Sequence, residues 1–187
     1  IKAIKVSHRI NGIEMEQKSY IQNNTNNSLF FFVGRDSPEK GLLSALQTFV
    51  KIEAPNKRLD IFGPSQVPKQ YRNLVKNGLV NAHGFCDRAT IAKLTAKHSI
   101  MISGNKLAAL GNAEIEALAA GKYIIYRGPK TFLSYVPKQL FKKYGRSYLE
   151  VLNKMNSNKL QRLHFDDFRK VHQKDCDDIM QLFNPLN

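Results

Sequence analysis

Leu29-Phe30-Phe31-Phe32-Val33-Gly34-Arg35-Asp36-Ser37-Pro38-Glu39-Lys40-Gly41-Leu42 is the stretch from which the fold is read. An apolar run without polar alternation enters a loop of glycines, a proline and charges. From Leu42 to Ile52 apolar residues then recur at helical spacing. A second strand, Leu59 to Phe62, follows, and the unit repeats. A helix around Val67 to Lys76 leads to a strand at Leu79 to His83, and a helix from Asp87 to Lys97, capped by Asp87, leads to a strand at Ser99 to Ser103. A helix from Asn112 to Ala120, stopped by Gly121, precedes a fifth strand at Tyr123 to Tyr126. Strands lacking alternation are those of a parallel sheet covered on both faces. The expected fold is α/β, a doubly wound parallel, Rossmann-like sheet, with its ligand site beyond the carboxyl ends of the strands.

Outside this repeat, residues 1–28 end in the polar run Gln22 to Asn27 and read as an entry segment and flexible connection. Residues 29–187 read as one domain, which turns helical after Pro137, near Lys138 to Tyr144, Tyr148 to Lys154 and Phe165 to Phe183. A chain of 187 residues, 42% hydrophobic, fits one domain with a core. No run approaches the roughly 20 apolar residues of a membrane span, and Ile1-Lys2-Ala3-Ile4-Lys5 lacks a signal-peptide core. A cytoplasmic protein is expected, and the start at Ile1 in place of methionine suggests a piece of a longer one. Cys86 and Cys176 form neither a disulfide framework nor a metal-type spacing. The net charge of +14 and pI near 9.8 suit an anionic partner, whether nucleic acid, an acidic membrane face or a phosphorylated small molecule, and equally suit a merely solvated surface.

Chemistry is sought in the strand-to-helix loops. Gly34 permits a sharp turn, Arg35 offers a planar fork of donors, and Lys40 adds a charge at a helix start, a set suited to a diphosphate or to an ordinary charged loop. Gly63 and Gly84 stand at the next two strand exits, where each permits close backbone approach to a ligand. Phe85 reads as the core side chain of a tight turn, or as the apolar border of a nucleobase. His83 reads as structural, with no acid or nucleophile near it in sequence. On the helix from Asn112, Ile115, Leu118 and Ala119 make one apolar face, and Glu116 lies among small residues on another. The helix start offers free amides to a phosphate, and Glu116 can accept two ribose hydroxyls; Glu114 reads as an acid favoured there by the helix dipole alone.

Taken together, these motifs resemble the glycosyltransferase group 1 family of GT-B enzymes. Gly34-Arg35 with Glu39-Lys40-Gly41 resembles its Gly-Arg-x-x-x-Glu-Lys-Gly loop, and Glu116-Ala117-Leu118-Ala119-Ala120-Gly121-Lys122 its Glu-Ala-x-Ala-x-Gly-Lys helix. Leu59 to Pro64 and Val80 to Phe85 resemble its intervening strands, and Asn11-Gly12-Ile13-Glu14 the end of its first domain. The resemblance implies the C-terminal, nucleotide-sugar-binding half of a retaining enzyme, with residues 1–28 holding the interdomain linker and the acceptor domain missing. The donor would be UDP- or GDP-linked and the acceptor a glycan, lipid or protein, with no cofactor or required metal. Arg35 and Lys40 would act on the diphosphate, and backbone amides of Leu110, Gly111 and Asn112 would face the sugar and pyrophosphate. The chain departs from the family at Ala108, where the first of two glutamates eight positions apart is absent. Two other readings follow from that departure and from the charge: a degenerate half serving as a scaffold, and a basic nucleic-acid-binding module, which the lack of any nucleic-acid motif disfavours. Basic helices would also suit attachment to an anionic membrane face.

Overall fold

The computed structural model describes residues 28–106, 111–129 and 143–157. The five expected strands form as β1 (Leu29–Val33), β2 (Arg58–Phe62), β3 (Val80–Gly84), β4 (Ile100–Ser103) and β5 (Tyr123–Tyr126). They are joined by α1 (Leu42–Val50), α2 (Arg72–Lys76), α3 (Arg88–Thr95) and α4 (Asn112–Ala119), and α5 (Tyr148–Ser157) follows a sixth strand, β6 (Tyr144–Gly145). All pairings are parallel, in the order β3-β2-β1-β4-β5-β6. The chain runs outward from β1 to β3, returns to place β4 beside β1, and runs outward again to β6. This is a doubly wound, Rossmann-like α/β sheet.

The central strands β1 and β4 send alternate side chains to two separate cores, which is why their sequences show no polar alternation. Phe30, Phe32, Ile61 and Ile102 lie on one face with Leu46 and Phe49 of α1 and Val151 of α5. Phe31, Phe62, Met101 and Ile124 lie on the other with Ala117 and Leu118 of α4. In α1, Leu42, Ala45, Leu46 and Phe49 repeat at three- and four-residue spacing and are the buried positions. Each fully buried Phe, Leu or Ile contributes roughly 2 kcal/mol of transfer free energy.

Two expected elements differ. The helix over Val67 to Lys76 is broken into a single 3-10 turn, Lys69–Tyr71, and the short α2. Pro68 stands before the turn in extended backbone, since it has no N–H to give a helix. Tyr144 is not the end of a helix: Tyr144 and Gly145 pair with Ile124 and Ile125 as β6. The Tyr144 ring packs edge-on to Tyr126, at 6.1 Å between centroids, and is 3% exposed. The segment thus covers the open edge of β5. The helix expected at Phe165 to Phe183 lies outside the described residues, as does the entry segment expected over residues 1–28 apart from Ser28.

A carboxylate binds β2, β3 and the start of β4 together. Asp60 Oδ1 accepts from His83 Nε2 at 2.6 Å, and Oδ2 accepts from His98 Nε2 at 2.7 Å. Asn81 Nδ2 adds a longer bond to Oδ1 at 3.3 Å, and the His83 ring stacks on Phe62 at 4.7 Å. Burial works to raise the Asp60 carboxyl, but the two histidine hydrogen bonds outweigh it and hold the group at about 2. His83 thus faces an acid that lies 23 positions away and that sequence proximity does not reveal.

Several lysines close helix ends. Lys57 Nζ donates to the carbonyls of Phe49, Val50 and Ile52 at 2.9, 3.0 and 2.5 Å, at the end of α1. Lys122 Nζ donates to Thr95 and Ala96 at 3.1 and 3.0 Å, at the end of α3. Lys143 Nζ donates to the Gly121 carbonyl beyond α4 at 3.0 Å. A cation at these carbonyls answers the negative end of the helix dipole.

Candidate functional site at the switch point

Where the winding reverses, β1 and β4 are neighbours but their helices leave to opposite faces, α1 to one core and α4 to the other. The loops after these strands therefore diverge and open a crevice, the place where doubly wound sheets bind ligands. The base of the crevice is a backbone contact. A Cβ added at Gly41 would lie 2.0 Å from the Gly104 carbonyl oxygen, and one added at Gly104 would lie 2.0 Å from that of Gly41. The Lys106 amide donates to the Glu39 carbonyl at 2.8 Å, so the two loops are locked together.

The other strand exits are tied in the same way. Gly34 N–H donates to the Phe62 carbonyl at 3.1 Å, and Gly63 N–H to that of Gly84 at 2.7 Å. A Cβ at Gly63, whose φ is +111°, would come within 1.9 Å of the Gly34 carbonyl oxygen. The space left by this glycine is filled by the neighbouring loop. Close approach at Gly63 is thus loop against loop.

The helix starts at the crevice carry no side-chain cap. Both α1 and α4 have glycine at the N-cap, Gly41 and Gly111, with no side-chain capping bond. By contrast α3 is capped by Asp87, whose carboxylate accepts from the Thr90 amide at 2.7 Å. Uncapped first-turn N–H groups and the positive dipole end attract an anion. Arg35 is exposed and Lys40 half-buried. Neither has an acidic partner within 4 Å among the described residues. Gly34, Arg35, Lys40, Gly111 and Asn112 all stand on these two loops and helix starts, whereas Leu110 lies outside the described residues.

Glu116 sits one turn into α4, half-buried, with Arg88 Nε 3.4 Å from its carboxylate. Burial raises its carboxyl, and Arg88 acts in the opposite direction. Arg88, the first residue of α3, is a neighbour that sequence spacing does not reveal. Phe85 is not a core residue: it is 92% exposed. Gly84, at φ +71°, turns the chain outward there, and the Phe62–His83 stack already fills the sheet face. Glu114 also exceeds the reading of it as a helix-start acid, being 4% exposed and bonded to Ser103. Among the described residues no group of three His, Cys, Asp or Glu is placed to hold a metal ion, and Cys86 is a free thiol. No helix among the described residues is long and apolar enough to cross a membrane.

Fold and site together define a Rossmann-like α/β domain with two cations and two helix starts without side-chain caps at its switch point. The chain belongs to the glycosyl transferases group 1 family, whose model matches residues 14–140. It is similar to a solved structure, the crystal structure of TarM, at 15% identity and a TM-score of 0.38, over 54% of this chain and 21% of that one. The chain thus spans about a fifth of the length of that protein. None of the curated proteins matches it in sequence.

Proposed function

We propose that the chain is the donor half of a two-domain GT-B glycosyltransferase, binding a UDP- or GDP-linked sugar for hexosyl transfer to a glycan, lipid or protein acceptor held by an N-terminal domain. The observation that carries this reading is the pair of uncapped helix starts at the crevice, flanked by Arg35 and Lys40. Two phosphates take such donors readily. Arg35 and Lys40 would neutralise the charge that builds on the leaving diphosphate as the glycosidic bond breaks. The amides of Gly111 and Asn112 would bind its oxygens, and Glu116 would accept the ribose hydroxyls after turning from Arg88. Phe85, exposed at the exit of β3, would offer an apolar face to the base. Transfer itself needs groups from the acceptor domain, so this half alone would bind donor without turning it over.

The test is calorimetric titration of the chain with UDP, GDP and ADP at moderate salt. One nucleotide should bind saturably, and Arg35→Ala and Glu116→Ala should each weaken it at least about tenfold, or about 1.4 kcal/mol. Binding unaffected by both substitutions would sink the assignment of the site. No binding to any nucleotide would favour the scaffold reading, to which Ala108 also points. Addition of EDTA should leave the affinity unchanged.

A further inference from the structure

The donor-binding reading leaves unused a buried acid behind the open start of α4. Glu114, the third residue of that helix, is 4% exposed. Its Oε1 accepts from the hydroxyl of Ser103, the last residue of β4, at 2.5 Å. Ser103 Oγ in turn accepts from the Asn105 amide at 3.4 Å. The second oxygen occupies room that exists only because residue 111 is glycine, for a Cβ at Gly111 would stand 2.4 Å from Glu114 Oε2. The carboxylate is also felt at the end of β5. There burial first, and Glu114 second, push the Tyr126 hydroxyl up to about 12, while Arg146 acts the other way.

One side chain therefore joins the exit of β4, the N-cap of α4 and the neighbourhood of Tyr126. An acid that served the helix start alone would stand in water, as the N-cap Asp87 of α3 does. A carboxylate inside the fold is tolerated only where its oxygens are engaged and its surroundings fixed. The connection it straddles is the one that leads from Gly104, at the base of the crevice, to the open amides of α4.

We propose that Glu114 is a positioning residue: by holding Ser103 and Gly111 in fixed relation, it sets the start of α4 in the one arrangement that faces a bound diphosphate. This rests on the donor-binding reading. Glutamine at this position keeps an oxygen for the Ser103 hydroxyl and removes the charge; alanine removes both.

The experiment compares the full chain with Glu114→Ala, Glu114→Gln and Ser103→Ala by amide hydrogen exchange and by titration with UDP, GDP and ADP. The informative amides are Lys106, which donates to Glu39, and Arg127, which donates to Ser103. In Glu114→Ala they should exchange at least about tenfold faster while β1 and β2 amides keep their rates, and nucleotide affinity should fall about tenfold. Glu114→Gln should stay within about threefold of the parent in both. Ser103→Ala should reproduce the local exchange, and it decides the matter if Glu114→Ala fails to fold. Unchanged local exchange, equally faster exchange in β1 and β2, or a glutamine variant as impaired as alanine would each overturn the proposal. If the parent chain binds no nucleotide, the donor reading fails by itself, and the exchange comparison still upholds or overturns the tie made by Glu114.

Discussion

Replacing Asp60 with asparagine tests the carboxylate that holds β2, β3 and β4 together. In the folded chain the group titrates at about 2 against an ordinary 3.8. At roughly 1.4 kcal/mol per pKa unit, its ionised form contributes about 2 kcal/mol to stability. The sign follows from the depressed value: the contribution is fully present above 3.8 and is lost as pH falls through about 2. About half of it should remain at pH 3. Asparagine keeps one acceptor oxygen but turns an amide NH2 toward the second histidine, so that ring must change tautomer to accept from it, and the charge that strengthened both bonds is gone. Asp60→Asn should therefore cost about 2 kcal/mol at neutral pH, a fall of about 4–8 °C in Tm for a domain of this size. Urea denaturation followed by circular dichroism at pH 7, 5, 4 and 3 gives the gap between the two proteins. From pH 5 it should shrink to about half by pH 3. A gap of the same size at pH 3 and pH 5, or no gap at pH 5, would refute the claim that the ionised carboxylate is the stabilising form.

Gly63→Ala should cost more than about 3 kcal/mol and disturb the β1 and β2 exits, because its Cβ meets the Gly34 carbonyl oxygen at 1.9 Å; Gly78→Ala, at φ +69° in open space, should cost only about 1 kcal/mol by thermal denaturation. Lys57→Met should lower stability by about 1 kcal/mol through the three carbonyls it leaves at the end of α1, while nucleotide affinity stays unchanged by calorimetry. Arg88→Ala should change stability by less than about 0.5 kcal/mol in chemical denaturation, since its pair with Glu116 is 3.4 Å long and the arginine 65% exposed.

The central strands β1 and β4 were legible because burial on both faces writes itself as uninterrupted apolar runs, Phe30-Phe31-Phe32 and Ile100-Met101-Ile102. β6 was not, since two residues, Tyr144 and Gly145, are too few for a period, and only the open edge of β5 makes them a strand. Phe85 misled for a related reason: hydrophobic character predicts burial on average, but the turn at Gly84 decides which way the side chain points. The Asp60 cluster joins residues 23 and 38 positions apart, a convergence that only pairing of the strands creates. Glu114 has the sequence signature of an ordinary helix-start acid. Its burial depends on the missing side chain at Gly111 and on Ser103 at the end of another element.

The glycines and the lysines illustrate how a motif can be read correctly and its physical use misplaced. Glycine at a strand exit announces a close approach, and the sequence alone suggests a ligand as the visitor. At Gly63 the visitor is a neighbouring loop, through the Gly34 carbonyl oxygen 1.9 Å from where a Cβ would be, and Gly41 and Gly104 meet each other in the same way at 2.0 Å. Fixed loops require no ordering when an anion arrives, which lowers the entropic cost of binding. The basic excess divides in the same manner. Lys57, Lys122 and Lys143 are already bound to helix-end carbonyls. Arg35, Lys40 and Lys106 stand instead on the two crevice loops. A net charge of +14 therefore overstates the attraction offered to a polyanion, whereas the small cluster beside two uncapped helix starts suits a compact diphosphate.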